Sequence, residues 1–386
     1  MQKFRILIFH FFLIIIFIIS ISANVSAEIV YVNGATGKDN DADYNGATKN
    51  HAYKSISYAL SQLGEEANII IEGSHDGVPI IYNEYLSIEE KHRNLTLLGK
   101  NYPIIEGIES KKKNSSSVGI RIKSVLITIQ GISFKNFNHG SISDVGLDGG
   151  AAILIQPMCE KIIIDDCKIE NCNWGIILCE SVLCQINGVS IKNIYSINKN
   201  KFSGGGIGIA IYSRGDNLEA NEIGSKTGNR ITNAENYGIF IGTKSDTVLA
   251  DGCKILNDTI ENSGYGVGIS NLIGFVSVKM NTFIGNDVSV YISGQNIDTY
   301  IGENLFKNSK SNNEIISDDN YDGTMLYDLW KFKKNIFNSE TFAAVNTIDK
   351  QIPLRNKKRY IRNTLEDARN DMPSEGSEVE KLDSAK

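Results

Sequence analysis

One short phrase recurs along this chain: a large apolar residue, then one variable residue, then Asn. Its copies begin at Phe134, Ile169, Ile191, Ile231, Ile260 and Phe306, and Phe283 begins a degenerate copy, F-I-G-N. The first residues of successive copies lie 35, 22, 40, 29, 23 and 23 positions apart. The short intervals set a unit of 22 to 23 residues, which is too short for a pair of helices and suits one coil of a parallel β-helix. The phrase therefore predicts an all-β solenoid.

The Asn of each copy has a physical reason to recur at one position. Asn tolerates the left-handed backbone conformation of a tight corner, and its amide can bond the same amide one coil away. Most copies are followed by Gly and then alternating Ile or Val, as in G-I-I-L at Gly175 and G-I-F-I at Gly238. The chain is rich in Asn and Ile throughout, but composition raises frequency and does not set a register. We therefore expect stacked Asn residues at one corner.

Residues 1–27 have the pattern of a secretory signal peptide. Lys3 and Arg5 precede an apolar run over residues 6–21, and the small residues V-S-A end at Ala27. The run is long for such a segment, so an uncleaved membrane anchor is the alternative. No later segment has the length and apolarity of a membrane span. We therefore expect a secreted, periplasmic or cell-surface protein with no span after cleavage.

Charge argues against one class of partner. The formal net charge is −6 and 22% of the residues are charged, without the basic stripe that nucleic-acid binding normally needs. Over residues 341–386 few apolar residues remain, and a basic run from Arg355 gives way to an acidic stretch from Glu366. This composition predicts a charged, disordered tail. Docking of the basic run on an anionic surface is the alternative.

Residues 28–110 are interpreted as an N-terminal cap followed by the first coils, and residues 111–340 as the repeats of the β-helix. Four residues are spaced as one apolar face of a helix: Ile56, Ala59, Leu60 and Leu63. Gly64 supplies the stop. An amphipathic helix at this place would cover the open end of the stacked strands, whose free edge would otherwise pair with another molecule.

Five of the six cysteines fall within two neighbouring coils. They are Cys159, Cys167, Cys172, Cys179 and Cys184. None of the spacings is C-x-x-C, which argues against a zinc site. Buried thiols that pack as small hydrophobic side chains are one interpretation. A single disulfide, such as one between Cys179 and Cys184, is the alternative in an exported protein.

Several stretches near the start of the chain carry a resemblance to known proteins. They are Y-V-N-G at Tyr31, Y-K-S-I-S-Y-A-L at Tyr53, I-I-I-E-G at Ile69, E-Y-L-S-I at Glu84 and L-T-L-L-G at Leu95. These stretches resemble the start of bacterial pectate-lyase-like right-handed parallel β-helix proteins, in which an N-terminal domain caps the coil. The resemblance covers about residues 28–310 and implies a right-handed coil. It implies little about function, because the superfamily includes polysaccharide lyases, hydrolases, epimerases and non-catalytic surface proteins.

The two longest intervals locate insertions at one corner, where a solenoid can place a functional site. The first insertion follows Asn136 and reads F-N-H-G-S-I-S-D-V-G-L-D-G-G; it contains His139, Asp144 and Asp148. The second follows Asn193 and contains I-N-K-N-K-F-S-G-G-G. Because the coil between them has no insertion, the two are expected to form the walls of a groove.

The floor of that groove would hold Asn173 and Trp174. Trp174, Tyr237 and Tyr265 each stand directly before the Gly of their strand, so they should form one row along the helix axis. A row of aromatic rings on a groove can stack on sugar rings; alternatively, the rings pack on each other or cover the corner. Together with His139, these three aromatic residues are the candidate substrate-binding residues.

The resemblance also implies what a catalytic site of this fold would contain. Polysaccharide lyases of the superfamily need carboxylates that hold calcium against a uronate, and an Arg or Lys that removes the proton next to the carboxyl group. The candidates are Arg214, Asp216, Lys244 and Asp246 for catalysis, and Asp144 and Asp148 for the metal. Calcium is the only cofactor these residues suggest. Exposed charges at strand ends are usually just solvated, however, and the R-x-P-x-x-R and D-P-H-D patterns of pectate lyases and alginate epimerases are absent.

Two functions are compatible with these observations. The first is an exported, monomeric protein that binds or processes an extracellular or cell-envelope polysaccharide in the groove between the corner insertions. The second is a non-catalytic cell-surface or matrix protein, structural or adhesive, whose long face is the working surface. If the chain is an enzyme, a polysaccharide lyase or a glycoside hydrolase is expected, but no complete catalytic motif is present.

Overall fold

The computed structural model describes residues 27–107, 118–197, 205–213, 218–243, 248–249, 252–296, 299–310, 315–317, 331–333, 336–337 and 344–346. These residues form a right-handed parallel β-helix, in which successive coils contribute strands to three long parallel sheets. The fold class that the repeat predicts is therefore confirmed.

Each sheet runs the length of the described array. The first sheet contains Glu28–Val32, Ala67–Glu72, Thr96–Lys100, Thr128–Gln130, Ile163–Asp165, Gln185–Asn187, Glu222–Ile223, Cys253–Leu256, Val276–Lys279, Thr299–Gly302 and Lys331–Lys333. The second sheet contains Ile81–Tyr82, Ile104–Glu106, Ser133–Lys135, Lys168–Cys172, Ser190–Ile194, Arg230–Ala234, Thr259–Glu261, Thr282–Ile284, Leu305–Lys307 and Ile336–Phe337. The third sheet contains Leu86–Ile88, Val118–Ile122, Ala151–Ile155, Trp174–Cys179, Ile207–Ser213, Tyr237–Thr243, Tyr265–Ile273, Val288–Asn296, Ile315–Ser317 and Ala344–Asn346, with Val248–Leu249 paired to Tyr265–Ile273.

Helices and hairpins are few among the described residues. The helices are the α-helix Ile56–Gln62 and the 3-10 helices Lys49–His51, Glu90–His92 and Ser143–Val145. The antiparallel hairpins are Ser74–His75 with Val78–Pro79, and Ser141–Ile142 with Leu147–Asp148.

The first residue of the repeated phrase points into the coil. The inward row of the second sheet runs through Phe134, Ile169, Ile191, Ile231, Ile260, Phe283 and Phe306. Each of these side chains is at most 1% exposed. The rings of Phe283 and Phe306 stack with centroids 5.1 Å apart. Equivalent side chains of successive coils therefore pack on each other along the axis, which explains why the first position of the phrase stays large and apolar.

The Asn of the phrase lies at the corner between the second and third sheets. Asn136, Asn171, Asn193 and Asn233 have φ angles of 63°, 57°, 54° and 58°. The Nδ2 atoms of Asn171, Asn193 and Asn233 each donate to Oδ1 of the Asn one coil earlier, at 3.4, 3.4 and 3.1 Å. In the degenerate copy Gly285 occupies the same position with a φ of 60°. The predicted corner conformation and its amide ladder are thus confirmed.

A second polar column lies inside the coil, directly before the second sheet. Its members Asn229, Asp258, Asn281 and Asn304 are at most 2% exposed. The Oδ1 atoms of the last three accept the backbone N–H of the preceding member at 2.7, 2.9 and 2.9 Å. Among the described residues Oδ2 of Asp258 has no hydrogen-bond partner. Burial raises the pKa of Asp258 to about 7, so the one carboxyl of this column is largely protonated up to neutral pH.

The N-terminal end begins with an edge strand that is covered from outside. Tyr31 in that strand donates its N–H to the carbonyl of Gly46 at 2.8 Å and accepts the N–H of Tyr53 at 2.9 Å. The helix Ile56–Gln62 follows, and Ile56, Ala59 and Leu60 are buried on its inner face. The hydrogen bonds to the edge come from the segment before the helix, and the capping role of the helix itself stays a prediction.

A buried histidine joins this helix to the first coil. The Nε2 atom of His92 lies 2.9 Å from the carbonyl oxygen of Leu60, and its Nδ1 accepts the N–H of Glu89 at 3.0 Å. This arrangement requires the neutral ring with the proton on Nε2. Burial lowers the pKa of His92, in agreement with that tautomer.

All six cysteines are free and buried. The disulfide alternative, with Cys179 and Cys184 as the example, is therefore wrong, and packing as small hydrophobic groups is confirmed. Burial raises the pKa of Cys167 and of Cys172 to about 12. These thiols are consequently unreactive at neutral pH.

The ends of the chain bear on three predictions. The signal segment, apart from Ala27, lies outside the described residues, as does most of the charged tail. The strand Ala344–Asn346 pairs with Ile315–Ser317 in the third sheet, and the domain boundaries stay a prediction. In the part of the chain that the structure describes, no helix has the length and apolarity needed to cross a membrane.

Candidate functional site

The third sheet is apolar on both faces near the corner insertions. Every residue of the strands Ala151–Ile155, Trp174–Cys179 and Ile207–Ser213 is buried. Their outward side chains belong to a second apolar cluster, separate from the core inside the coil. A sheet that is apolar on both sides needs a cover on both sides.

The first insertion supplies part of this cover. Its hairpin places three buried side chains in the outer cluster, those of Ile142, Val145 and Leu147. The 3-10 helix between the hairpin strands ends at Gly146, whose φ of 67° permits the tight return. The insertion therefore lies back on the third sheet and does not stand up as the wall of a groove.

Trp174 lies beneath this insertion. Its side chain is 0% exposed, and its Nε1 donates to the backbone carbonyl of Asp148 at 2.9 Å. A sugar cannot reach a ring that is buried on all sides. The expectation that Trp174 stacks on substrate is therefore wrong, and it covers the corner as the alternative supposed.

Asn173 ties the two insertions together. Its Oδ1 accepts the N–H of Gly150 at 3.0 Å, and its Nδ2 donates to the carbonyl of Tyr195 at 2.8 Å. Its backbone carbonyl accepts the N–H of Gly206 at 2.7 Å. The side chain is 4% exposed. The expected floor of the groove is thus filled, because Asn173 bonds the end of the first insertion to both ends of the second.

No metal site is seen among the described residues of the first insertion. His139 and Asp148 are exposed, and the side chain of Asp144 is outside the described part. No group of three or more His, Cys, Asp or Glu side chains suited to a metal occurs among the described residues. Calcium binding by Asp144 and Asp148 stays a prediction.

Two of the predicted aromatic residues do form a row, and a third joins them. The rings of Tyr237 and Tyr265 are stacked with centroids 4.9 Å apart, and those of Tyr265 and Tyr291 are 4.8 Å apart. All three side chains are half-buried on the outer face of the third sheet. Because the rings cover one another's faces, their edges and hydroxyl groups are what the row offers to a ligand.

Tyr291 is the member of this tyrosine row that was not predicted from the sequence. It does not stand before a Gly, and its position in the strand is three residues after the register of Tyr237 and Tyr265, opposite Gly268. The missing side chain at Gly268 leaves space that the Tyr237 ring occupies, since a Cβ there would approach that ring to 2.5 Å. An apolar run with one Tyr in a neighbouring coil, V-S-V-Y-I, was the available signal.

The four candidate catalytic residues, Arg214, Asp216, Lys244 and Asp246, lie outside the described residues. The strands that precede them end at Ser213 and Thr243, which are register partners. Thr243 is six residues from Tyr237 on one strand, a distance of about 20 Å in extended chain. Tyr237 and the end of its strand therefore cannot contact the same sugar unit.

Comparison with known proteins gives the fold and no closer relationship. No protein-family profile and no curated sequence matches the chain. Among solved structures it is similar to a rhamnogalacturonan lyase, with 12% identity over 80% of this chain and 87% of that one and a TM-score of 0.50. It is also similar to a polygalacturonase from Erwinia carotovora, with 11% identity over 83% of this chain and 86% of that one and a TM-score of 0.51. An endo-xylogalacturonan hydrolase from Aspergillus tubingensis is similar with 10% identity over 83% of this chain and 98% of that one and a TM-score of 0.50. The chain thus has the right-handed parallel β-helix fold that these structures share.

Proposed function

We propose that this is an exported protein that binds or processes an extracellular or cell-envelope polysaccharide on the outer side of its β-helix. The observation that carries the proposal is the row of Tyr237, Tyr265 and Tyr291, half-buried on a rigid face with centroids 4.9 and 4.8 Å apart. Rigid aromatic side chains with a hydroxyl group are well suited to sugar hydroxyls and ring edges. The similar structures, which are named for action on pectic polysaccharides, support the same class of ligand.

The proposed site differs in place from the groove that the sequence suggested. It lies along the tyrosine row and excludes Trp174 and Asn173, which are buried. If the protein also cleaves its ligand, Arg214, Asp216, Lys244 and Asp246 remain the proposed catalytic residues. Tyr237 and Thr243, at the two ends of one strand, are too far apart for a single sugar unit, so a ligand that contacts both would have to be several units long.

The alternative is a non-catalytic surface or matrix protein whose long face is structural or adhesive. The two functions differ in whether the purified protein holds or changes a polysaccharide. Retention on affinity gels that contain pectic, alginate and neutral polysaccharides tests binding, and the appearance of unsaturated or reducing ends tests turnover. If the protein is retained by none of them and generates no ends, the proposal fails and the alternative is favoured.

The tyrosine row gives a sharper test. Tyr265→Ala removes the central ring and should weaken retention several-fold, while Tyr300→Ala, on the outer face of the first sheet, should leave it unchanged. Circular dichroism and thermal melts confirm that both variants are folded. Equal retention of Tyr265→Ala and the unmodified protein would remove the tyrosine row from the proposal.

A further inference from the structure

A cleft with three lysines lies on the second sheet, away from the tyrosine row. Its volume is about 350 Å³. We call it the lysine cleft and define it by Tyr102, Ser133, Lys135, Lys168, Glu170, Ser190 and Lys192. It spans three neighbouring strands, Ser133–Lys135, Lys168–Cys172 and Ser190–Ile194.

Register places the lining side chains in two outward rows. Ser133, Lys168 and Ser190 form one row, and Lys135, Glu170 and Lys192 form the other. The residues between the rows are the inward apolar residues of the repeated phrase, so alternation places the lining residues on the outer face of the sheet. The cleft is therefore a direct product of the coil repeat.

The open space arises from small side chains beside large ones. Ser133 and Ser190 flank Lys168, whose Nζ lies 3.3 Å from the centroid of the Tyr102 ring. The Tyr102 hydroxyl in turn donates to Oδ1 of Asp166 at 2.8 Å. Lys168 is thus turned toward Tyr102 by a cation–π contact. Ser133 on that side is 5% exposed, and the region above Ser190 on the other side is left open.

Tyr102 is held in an unusual backbone conformation. Its φ is 51°, in the left-handed region that bulky residues rarely adopt. Such strain costs on the order of 1 kcal/mol or more and persists where the surroundings over-determine it. Here the hydrogen bond to Asp166 and the contact with Lys168 fix the ring as one wall of the cleft.

The charges of the second row alternate. Glu170 stands between Lys135 and Lys192, and its Oε2 is 3.8 Å from Nζ of Lys135, with both side chains about a third exposed. Glu106, the other acidic neighbour of Lys135 in the row, accepts a hydrogen bond from Asn136. Lys192 forms no ion pair with a described residue. Lys135 and Lys192 are two strands apart, which is about 10 Å.

We propose that the lysine cleft binds a glycan that runs along the helix axis and carries an acidic group on alternate units. This rests on the proposed function, since it names the polysaccharide class and a second place of contact. Lys135 and Lys192 would bind the two acidic groups. Glu170 would repel an acidic group on the unit between them and would accept a hydrogen bond from a hydroxyl group of a neutral one, while Ser190 would bond a further hydroxyl group. A chain that advances by about one coil per sugar matches this spacing.

The test uses short oligosaccharides that differ in charge pattern. The probes are a hyaluronan tetrasaccharide, with uronate and neutral sugar alternating, a galacturonate tetrasaccharide, with an acid on every unit, and a neutral dextran tetrasaccharide. The full chain should bind the first in preference to the other two, with an affinity that falls as salt rises. Equal or tighter binding of the galacturonate tetrasaccharide would overturn the proposal.

Variants distinguish this site from the tyrosine row. The double variant Lys135→Gln/Lys192→Gln should weaken hyaluronan binding about tenfold, as the loss of two exposed charge contacts predicts. Glu170→Gln should raise affinity for the galacturonate tetrasaccharide. Lys307→Gln, in the same outward row beyond the cleft, is the matched control and should change nothing.

The outcomes separate the two proposals. If the protein binds polysaccharide and the double variant binds the probes as well as Lys307→Gln does, the lysine cleft is not a binding site and the proposed function stands. If Tyr265→Ala and the unmodified protein alike bind no polysaccharide, the proposed function itself fails. Reduced binding in the double variant alone, with unchanged melting temperature, supports the cleft.

Discussion

At the scale of single residues, Asp258 shows how one atom changes the properties of a stacked column. Its neighbours Asn229 and Asn281 have the same shape but carry no ionisable group. With Oδ1 engaged by Asn229 and Oδ2 without a partner in the described structure, burial favours the neutral carboxyl and raises the pKa to about 7. The column thus contains a carboxyl that must lose its charge in order to remain buried.

We therefore expect Asp258→Asn to stabilise the protein above neutral pH. Asp258 is ionised in the unfolded chain above its ordinary pKa of 3.8 but stays protonated in the folded chain up to about 7. The neutral carboxyl of Asp258 therefore makes its full contribution to the free energy of unfolding below about pH 4, and this contribution is lost as the pH rises through about 7. At pH 8 the variant should gain on the order of 2 to 4 kcal/mol in the free energy of unfolding, measured by urea denaturation.

The reverse change is the control for this prediction. Asn281→Asp places a second carboxyl in the same column and should lower the midpoint of urea unfolding at pH 8 more than at pH 4. If Asp258→Asn and the unmodified protein show parallel stability curves from pH 4 to pH 8, Asp258 is not neutral in the folded state.

Trp174 is a second residue whose role follows from burial. Trp174→Ala removes a fully buried indole and leaves the carbonyl of Asp148 without its donor. A loss of about 3 to 5 kcal/mol in the free energy of unfolding is expected. Tyr195→Ala, a change at a residue that is 52% exposed on the second insertion, should stay within about 0.5 kcal/mol. A loss below about 1 kcal/mol for Trp174→Ala would mean that the indole is not packed as described.

At the scale of elements, substitutions at the corner between the second and third sheets can measure backbone strain and amide hydrogen bonding separately. Asn193 has a φ of 54° and bonds Asn171 and Asn233 through its amide. Asn193→Gly keeps the backbone conformation and loses the ladder, whereas Asn193→Ala also incurs the left-handed penalty. We expect Asn193→Ala to be less stable than Asn193→Gly by about 1 kcal/mol, as thermal melts of both variants can show. Equal melting temperatures would indicate that the corner relaxes.

Elements that repeat were predictable from sequence, and elements that depart from the repeat were predictable in position only. The phrase that begins at Phe134 indicated the inward row and the corner Asn, because few folds are compatible with one register that is repeated in coil after coil. The first insertion was located correctly, but its folding onto the third sheet was not foreseen. A signal existed in A-A-I-L-I at Ala151 and W-G-I-I-L-C at Trp174, which are apolar at every position and so need cover on both faces. Which segment supplies that cover depends on long-range packing that no local pattern contains.

At the scale of the whole molecule, a solenoid has stability that varies along its axis. Each coil contacts only its neighbours, so the free energy of unfolding is close to a sum of contributions from single coils and their interfaces. The free energy of local opening therefore reports the stability of one region. His92 and Asp258, two of the buried titratable groups, lie at different places along the axis. His92 joins the helix to the first coil, and Asp258 lies in the later coils. Burial lowers the pKa of His92 and raises the pKa of Asp258, and both groups are thereby held neutral.

Opposite pH dependence is therefore expected in the two regions. The pKa of His92 is lowered by burial, so its stabilising neutral form is present above about pH 6.5 and is lost as pH falls through and below that value. Asp258 behaves in the reverse sense. Hydrogen exchange measured at pH 5.5 and pH 8, after correction for the intrinsic exchange rate, should show protection near residues 86–98 rising with pH and protection near residues 253–284 falling. His92→Gln and Asp258→Asn should each flatten the profile of one region and leave the other unchanged; a common shift of both regions in either variant would show instead that the array unfolds as one unit.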